Sequence, residues 1–307
     1  MKFNKEIAIG HLCMAGACAM WGLMAPLGKD AMTHGITGLD MVAFRVTGGA
    51  LCFWLTSLLW KKSEKKKVEK KDLLKLFFAA LFAIVFNQCN YTIGLSITSP
   101  LNASIMTTTM PIITMVLAAV FIKEPVTWKK VLGVLLGASG AAILILGSSQ
   151  GVHGGGVLLG DILCICAQCS YAIYLTAFKT VIQKYSVVTC MKWMMTFAAL
   201  VIVPFAMPGL MEMPWSEIEP THYAEAAFVV FGGTFIAYIL CTSAQKVLRP
   251  TVVAMYNYVQ PIVSCVVSVI IGLGVFGIGQ AFAVVLVFSG VWLVTQSRKR
   301  RDQRAIE

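Results

Sequence analysis

The sequence predicts an all-α integral membrane protein in which ten transmembrane helices form two inverted five-helix repeats. Its composition is the first reason, because apolar residues make up 58% of the 307-residue chain and charged residues only 13%. Soluble domains carry about 25% charged residues. With so few charged side chains to face water, most of the surface must face lipid. The other two reasons are ten apolar stretches and an internal repeat.

Ten stretches are long enough to cross a bilayer, since a helix spanning about 30 Å of hydrocarbon needs roughly 20 apolar residues. They lie at about 7–28, 38–60, 74–96, 100–122, 128–147, 157–178, 186–206, 222–244, 249–271 and 276–296. The connections are short, except for a predicted outer loop at about 207–221, and no soluble domain is expected. The first stretch is too long for the apolar part of a signal peptide, so we expect it to be a helix of the mature protein.

The basic residues lie on one side of this predicted topology. Of the 25 lysine and arginine residues, all but Lys29 and Arg45 fall in segments on the side of the two termini. The positive-inside rule places that side in the cytoplasm. We therefore expect a multi-pass protein of the cell membrane, the inner membrane in a bacterium. The lysine-rich segment 61–75 either binds anionic lipid or is a solvated topology signal; the interspersed Glu64 and Glu69 favour the second.

The partners expected from this distribution are the lipid bilayer and a small-molecule substrate. The net charge of +11 is explained by the membrane topology and does not indicate nucleic-acid binding. A homodimer is neither predicted nor excluded by the sequence.

All ten cysteines fall within predicted helices, so no disulfide framework is indicated. Cys164, Cys166 and Cys169 are close in sequence, but only the last two share a helix face. No histidine lies near them to complete the four ligands of a structural zinc site. We therefore expect no metal and no cofactor.

An ungapped shift of 150 residues superposes the two halves of the chain. It aligns Trp21 with Tyr171, Lys29 with Lys179, Pro100 with Pro250, Pro111 with Pro261, and Ser139-Gly140 with Ser289-Gly290. Proline in or beside a membrane helix is costly unless the architecture needs it. The predicted repeats are residues 1–150 and residues 151–307, the second ending in a basic cytoplasmic tail. Because five helices is an odd number, the second repeat is inverted, as in many secondary transporters, whose sites lie between the repeats.

The chain also resembles the EamA family of the drug/metabolite transporter superfamily over about residues 7–296. The matching residues are Trp21-Gly22 with Pro26 and Lys29, Val42–Arg45, Pro111, Lys123–Pro125, Gly160-Asp161, Tyr171-Ala172, Pro261, Gln280 and Ser289-Gly290. The resemblance implies a ten-helix carrier that exports small metabolites, often amino acids or drug-like amphiphiles, by alternating access. One position departs from the family pattern, since Gly274 stands where the family often has a glutamate equivalent to Glu124.

Polar side chains at helical spacing predict a central cavity lined by amides and aromatic rings. Polar groups inside a bilayer are costly and tend to face a cavity or a partner helix. Together with their repeat equivalents, the candidates are Trp21, Asn87, Asn90, Tyr91, Thr107, Met110, Gln168, Tyr171, Tyr256, Asn257 and Gln260. For each of them the alternative is a hydrogen bond between helices, which contributes about 0.6 kcal/mol.

Arg45 and Glu124 are the two candidate gating residues. Arg45 lies about two turns into the second helix, where it serves as a gate or contacts a substrate carboxylate. Alternatively, it pairs with backbone carbonyls at a helix break or reaches outward to the membrane interface. Asp40 and Asp161 are its candidate partners. Glu124 precedes Pro125 at a helix end, where it forms a gating ion pair with a lysine or is simply solvated. Because surface ion pairs are weak, we favour the solvated end.

The residue types inside the predicted helices restrict the function. No carboxylate or histidine is predicted at mid-depth, so a proton relay of such groups is not expected. Phosphorylated substrates call for convergent Lys or Arg side chains, but Arg45 alone is predicted well inside the membrane. These absences favour a transporter of neutral or zwitterionic metabolites such as amino acids. The alternatives are a broad exporter of drugs or hydrophobic amphiphiles, an intramembrane enzyme and a scaffold; an enzyme would need clustered catalytic groups at one depth, and we expect none.

Overall fold

The computed structural model describes residues 5–59, 68–97, 106–148, 158–270 and 278–297, and these residues form helices joined by short turns, with no strand among them. The α-helices are α1 (Lys5–Thr33), α2 (Gly38–Leu59), α3 (Lys70–Ala80), α4 (Asn87–Ile97), α5 (Met110–Phe121), α6 (Trp128–Ser148), α7 (Leu158–Ala177), α8 (Lys179–Lys184), α9 (Val187–Glu212), α10 (Pro220–Val230), α11 (Ala237–Val247), α12 (Pro250–Met255), α13 (Val259–Ile270) and α14 (Ile278–Gln296).

Six helical segments among the described residues are long and apolar enough to cross a membrane. They are Lys5–Met24, Gly38–Leu59, Lys70–Leu95, Leu158–Ala177, Val187–Glu212 and Pro220–Val247. Shorter apolar helices lie at Met110–Phe121 and Ala281–Gln296. The prediction of an all-α, multi-pass membrane protein is thus confirmed, while the number of ten spans stays a prediction.

Two of the predicted helix ends were misplaced. The first helix continues to Thr33, five residues beyond the predicted end. The α9 helix continues through Pro204 and Pro208 to Glu212, so the first six residues of the segment expected as an outer loop from 207 are helical. Membrane helices accommodate proline because neighbouring groups satisfy the freed carbonyls. The start of the predicted helix 100–122 lies outside the described residues; residues 106–107 are helical, and α5 begins at Met110 after a turn.

The backbone repeats itself at the same spacing of 150 residues that the sequence shows. A π-helical turn at Leu81–Phe86 separates α3 from α4, and another at Phe231–Ile236 separates α10 from α11. The helices before and after these turns also begin and end at residues 150 apart. The correspondence therefore extends from a few matched side chains to an uncommon local backbone conformation.

Equivalent helices of the two halves pack against each other. The α2 helix packs on α9, and α6 packs on α14. The α6–α14 contact is very close, because a Cβ atom at Gly133 would lie 2.7 Å from the Gly290 carbonyl oxygen and one at Gly140 would lie 2.7 Å from the Ala283 carbonyl oxygen. Small residues that let helix backbones approach are characteristic of membrane interfaces, so we assign these glycines to helix packing.

We expect Gly133→Val to destabilise the protein strongly, whereas Gly279→Val should be nearly neutral. A side chain at Gly133 would press on the backbone of α14, but nothing lies within 4 Å of a Cβ atom at Gly279. Both substitutions put the same β-branched side chain into a helix, so the difference isolates packing. The measurement is the melting temperature of the detergent-purified variants. Equal melting temperatures would show that α6 and α14 can separate at no cost.

Most basic side chains that the structure describes lie at one end of the bundle, which we call the basic end. Contacts within it include Lys184 with Asp72 and Arg249 with the backbone oxygen of Val294. At the opposite end, a small apolar cluster joins the end of α1 to the start of α2 and to α10. Its buried members are Ala31, Ile36, Met41, Met213, Ile218, Ala226 and Val229. The large core lies between these ends and surrounds the candidate site.

The nine cysteines whose side chains the structure describes are free thiols within helices. Cys166 is exposed, whereas Cys164 is buried. These two therefore do not converge on a common ligand position.

Candidate functional site

A cavity of about 160 Å³ lies within the helix bundle, between residues of both halves. A water molecule needs roughly 10–15 Å³ on this measure, so the space corresponds to about ten waters or one small metabolite. The lining residues are Trp21, Met24, Gly28, Met32, Met41, Val42, Arg45, Asn87, Gln88, Tyr91, Thr92, Leu95, Thr107, Met110, Gln168, Tyr171, Val229, Tyr238, Asn257 and Gln260. The lining combines amides, hydroxyls and aromatic rings with methionines and other aliphatic side chains.

The structure brings nine of the eleven predicted lining residues to this one cavity. They are Trp21, Asn87, Tyr91, Thr107, Met110, Gln168, Tyr171, Asn257 and Gln260. Asn90 and Tyr256 are not among the lining residues. The Tyr256 hydroxyl instead lies 2.8 Å from Nδ1 of His11, on the neighbouring helix. Helical spacing therefore identified the correct faces but not where a helix changes its winding.

The two π-helical turns place the first polar lining residues of α4 and α11. A π turn leaves backbone carbonyls without their usual helical partners, and such turns are frequent at functional sites. The indole Nε1–H of Trp21 donates to the carbonyl oxygen of Gly233 at 3.0 Å, and the Ser170 hydroxyl donates to that of Phe82 at 2.7 Å. Each half thus anchors a helix on the π turn of the other half.

A second pair of breaks brings Thr107 and Asn257 to the cavity. The chain forms a turn at Thr108-Thr109 before α5, and a 3₁₀ turn at Tyr256–Tyr258 separates α12 from α13. The two breaks touch, since the Tyr258 hydroxyl donates to the Thr108 carbonyl oxygen at 3.1 Å. Discontinuous helices at the repeat interface are a common way to build a substrate site in secondary transporters.

Arg45 is the charged side chain among the lining residues that the structure describes, and it is 7% exposed. Its Nε–H donates to the Thr234 hydroxyl at 2.9 Å, and its Nη1 donates to the Gln88 side-chain oxygen. Both acceptors are neutral. A guanidinium has five N–H donors, so these two bonds hold the side chain while leaving donors for another group.

Neither aspartate proposed from the sequence is a hydrogen-bond partner of Arg45. Asp40 instead accepts from the backbone N–H of Thr37 at 3.1 Å and from its hydroxyl at 2.5 Å, which caps the start of α2. That expectation was wrong because residues three apart at a helix start form a local cap more readily than a distant ion pair.

Gln88 and Tyr238 are lining residues that sequence reasoning missed. The Gln88 amide donates to the Tyr238 hydroxyl at 3.1 Å, so it connects Arg45 to the second half of the chain. The two residues are 150 positions apart, so the repeat would have paired them. Gln88 was not predicted because the helical face chosen for the third helix was the one that contains Asn87 and Tyr91.

Several predicted lining residues also bond between helices, which was the alternative interpretation. The Asn87 amide donates to the Ala167 carbonyl oxygen at 2.9 Å. The Asn257 amide donates to the sulfur of Met110 on α5, and within its own helical segment it is held by Gln260, whose amide donates to the Asn257 side-chain oxygen at 3.0 Å. These bonds hold the amides in fixed orientations at the cavity wall, so the two interpretations do not exclude each other.

Glu124 lies outside the cavity, at the basic end, and is 8% exposed. Its carboxylate lies 2.8 Å from Nζ of Lys130 and 3.6 Å from Nη1 of Arg249, and it accepts from the Thr251 hydroxyl at 3.2 Å. The expected solvated helix end is therefore wrong. Lys123 adopts a left-handed φ of 51°. This conformation ends α5 and lets the next backbone N–H return to the Ala118 carbonyl oxygen at 3.0 Å.

A second group of contacts at the basic end joins the start of α3 to α8. Lys184 bonds Asp72 at 2.5 Å and Glu69 at 2.8 Å, and the Tyr185 hydroxyl donates to Asp72 at 2.7 Å. The hydrogen bond from Lys184 to Asp72 and the one to Glu69 raise the pKa of Lys184 above its ordinary value. Together with the Glu124 group, these contacts connect the two halves beyond the end of the cavity.

A helical membrane bundle with a central cavity between repeated, broken helices is the architecture of a transporter. The comparisons agree with this class. The EamA-like transporter family matches residues 8–146 and again residues 158–296. The chain therefore belongs to the EamA-like transporter family, as the resemblance indicated.

Individual relatives are distant in sequence but similar over much of their length. The uncharacterized transporter YyaM of Bacillus subtilis (strain 168) is 21% identical, over 80% of this chain and 80% of its own. The S-adenosylmethionine uptake transporter of Rickettsia prowazekii (strain Madrid E) is 23% identical, over 60% of this chain and 59% of its own. A crystal structure with 15% identity superposes with a TM-score of 0.75, covering 94% of this chain and 96% of that one, which shows a shared fold.

Proposed function

We propose that the protein is a secondary transporter that exports small zwitterionic or neutral metabolites, amino acids among them, by alternating access. The observation that carries this proposal is Arg45, a buried cation in the cavity whose hydrogen-bond partners, Gln88 and Thr234, are both neutral. A substrate carboxylate would supply the missing opposite charge through charge-assisted hydrogen bonds.

The rest of the cavity supports the same substrate class. Side-chain oxygens of Asn87 and Gln168 are suitable acceptors for an ammonium group. Met24, Met32 and Met41 provide an apolar surface for a side chain. The Rickettsia relative is named for the uptake of S-adenosylmethionine, a metabolite with an amino-acid group, which favours the same class. Export is the direction that the family resemblance implies.

The membrane arrangement is part of this proposal. We infer ten spans in two inverted repeats, residues 1–150 and residues 151–307, in a bacterial inner membrane with both termini in the cytoplasm. The two family matches begin 150 residues apart, and helix ends and π turns recur at that spacing. Basic residues gathered at one end of the bundle favour that end as cytoplasmic. A reporter fused to the C-terminus and found outside the cell would contradict this topology.

Counterflow in proteoliposomes tests the substrate class. We expect labelled amino acid to enter vesicles that are loaded with an unlabelled zwitterionic amino acid. Vesicles loaded with the corresponding amide should take up little, because the amide lacks the carboxylate that Arg45 would bind. A hydrophobic cation is the third arm, because the adaptable methionines also fit a broad amphiphile exporter. Uptake driven by the cation and not by the amino acid would favour that second function.

Asn257→Ala should change substrate preference, whereas Asn90→Ala should leave it unchanged. Asn257 lines the cavity and holds Gln260 through the 3.0 Å bond, but Asn90 is not among the lining residues. Each variant loses the same side-chain amide, so comparing the two distinguishes an effect on the cavity wall from a general effect on the helix bundle. The measurement is the ratio of kcat/KM for two amino acids of different size, and identical ratios in both variants would place Asn257 outside the site.

A further inference from the structure

Two histidines from different halves of the chain stack at the end of the bundle away from the basic residues. His34 follows the last residue of α1, and His222 lies in the first turn of α10. Their rings are parallel to within 7°, with centroids 4.1 Å apart. His34 is half exposed, whereas the side chain of His222 is 10% exposed. One ring therefore belongs to the solvent-facing surface and the other to the packed interior.

Asp30 lies against both rings. One carboxylate oxygen is 3.5 Å from Nδ1 of His34, and the other is 3.8 Å from Nδ1 of His222. Each of the three residues has a ligand atom within 4.8 Å of those of the other two. Ligand atoms around a tetrahedral Zn²⁺ ion are about 3.4 Å apart, given bonds of roughly 2.0–2.2 Å. Side-chain rotation can bring the ligand atoms from within 4.8 Å to about 3.4 Å of one another, because Asp30 and His34 are half exposed and have room to turn.

Two further groups hold the imidazoles in place. The Glu225 carboxylate lies 3.1 Å from Nδ1 of His222, and its side chain is only 18% exposed. Nδ1 of His34 lies 2.9 Å from the Asp30 carbonyl oxygen. Histidines that bind metals commonly donate their other ring N–H to a carboxylate or to a backbone carbonyl. In both histidines this partner faces Nδ1, so Nε2 is the nitrogen left to bind a metal.

The backbone beneath the cluster is fixed by packing. Ala31 and Ile36 from the end of α1 are fully buried against Ala226 and Val229 of α10, which belong to the same apolar cluster. Gly35 turns the chain between them with a φ of 97°. The two histidines are thus brought together by tertiary structure, which is why the sequence, with His34 and His222 far apart, predicted no metal site.

We propose that Asp30, His34 and His222 bind a divalent transition-metal ion of the zinc class, with Glu225 as the residue that orients His222. Imidazole and carboxylate ligands suit Zn²⁺, and half of the site is open to solvent as an entry path. Because α1 and α10 both contribute residues to the cavity, a bound ion would fasten together two of its walls. Inhibition of transport by Zn²⁺ follows from this, and that consequence alone depends on the proposed function.

The test is isothermal titration of Zn²⁺ into the full-length protein in detergent, without substrate. We expect saturable binding of one ion, weakened at least tenfold by His222→Gln and by His34→Gln, and roughly tenfold or more by Glu225→Gln. His11→Gln is the matched control, since His11 lies elsewhere and bonds Tyr256. A melting-temperature measurement on each variant shows that it is folded.

Specific outcomes would overturn the proposal. Absence of saturable binding to the unmodified protein would do so, and so would equal binding by the His222, His34 and His11 variants. A zinc-binding protein that shows no transport in counterflow would instead contradict the proposed function while leaving the metal site intact. Zinc inhibition that EDTA reverses in the unmodified protein, together with no zinc inhibition in His222→Gln, would connect the metal site to transport.

Discussion

Replacing Arg45 with methionine is expected to abolish most transport, with KM for a zwitterionic substrate raised roughly ten- to a hundredfold. Hydrogen bonds to charged groups contribute about 1.5–3 kcal/mol each, and 1.4 kcal/mol is a factor of ten in affinity. Methionine keeps most of the side-chain volume but removes the charge and every donor. Arg45→Lys should recover little, because an ammonium does not present the planar donor set that binds Gln88 and Thr234 and that would also bind a substrate carboxylate.

Gln88→Glu distinguishes a substrate role of Arg45 from a structural one. The substitution is nearly isosteric and places a carboxylate directly against the guanidinium. If Arg45 only holds helices together, the new ion pair should preserve or increase both stability and transport. If Arg45 binds the substrate carboxylate, the new glutamate competes for it, so KM should rise while the melting temperature does not fall.

Steady-state counterflow kinetics and thermal unfolding on Arg45→Met, Arg45→Lys and Gln88→Glu provide the measurement. Gln88→Asn is the matched control, because it shortens the side chain without adding charge. Unchanged KM for the amino acid in both Arg45→Met and Gln88→Glu would remove Arg45 from the binding site. If the melting temperature falls in Arg45→Met alone, the KM of Gln88→Glu compared with that of Gln88→Asn decides whether Arg45 binds the substrate.

The parts of the fold that depend on averages over many residues could be predicted from the sequence. Helical character and membrane embedding follow from composition, and they survive errors of several residues at any boundary. The lining residues also follow largely from spacing, since Asn87 with Tyr91, and Gln168 with Tyr171, lie on continuous stretches of helix. A helical period predicts a shared face wherever the winding remains regular.

Predictions failed where one local feature changes the winding or the partner. The 3₁₀ turn begins at Tyr256, and this residue points toward His11 and not into the cavity. The π turn at Phe231–Ile236 contains Gly232-Gly233, but the equivalent turn in the first half has Phe82-Ala83, so glycine alone would not have revealed it. Partners such as Thr234 for Arg45 depend on tertiary contacts across 189 positions of sequence, which no periodicity encodes.

The burial of Glu124 leads to the second large effect, since Glu124→Gln should lower the melting temperature by about 10 °C. Removing one partner of a buried ion pair costs about 3–5 kcal/mol, because the other charge is left without compensation. Here the variant would leave Lys130, whose side chain is 1% exposed, beside Arg249. Thr251 would keep only a neutral acceptor. Thermal unfolding in detergent measures the loss, and an unchanged melting temperature would show that the lysine is solvated.

The double variant Glu124→Leu with Lys130→Met separates stability from gating. Apolar side chains of similar volume often replace a buried ion pair without loss of stability, and Arg249 keeps its bond to the Val294 carbonyl oxygen at 2.9 Å. We therefore expect the melting temperature to return close to that of the unmodified protein.

Glu124 belongs to the first half, and Arg249 and Thr251 to the second. Under alternating access, these bonds must break each time the cavity opens toward the basic end. An apolar contact in their place should shift that equilibrium, so counterflow should remain several-fold slow in the stable double variant. If the melting temperature and the counterflow rate both recover fully, the Glu124 group is a structural contact. If the melting temperature alone recovers, the group is the ionic gate between the two halves.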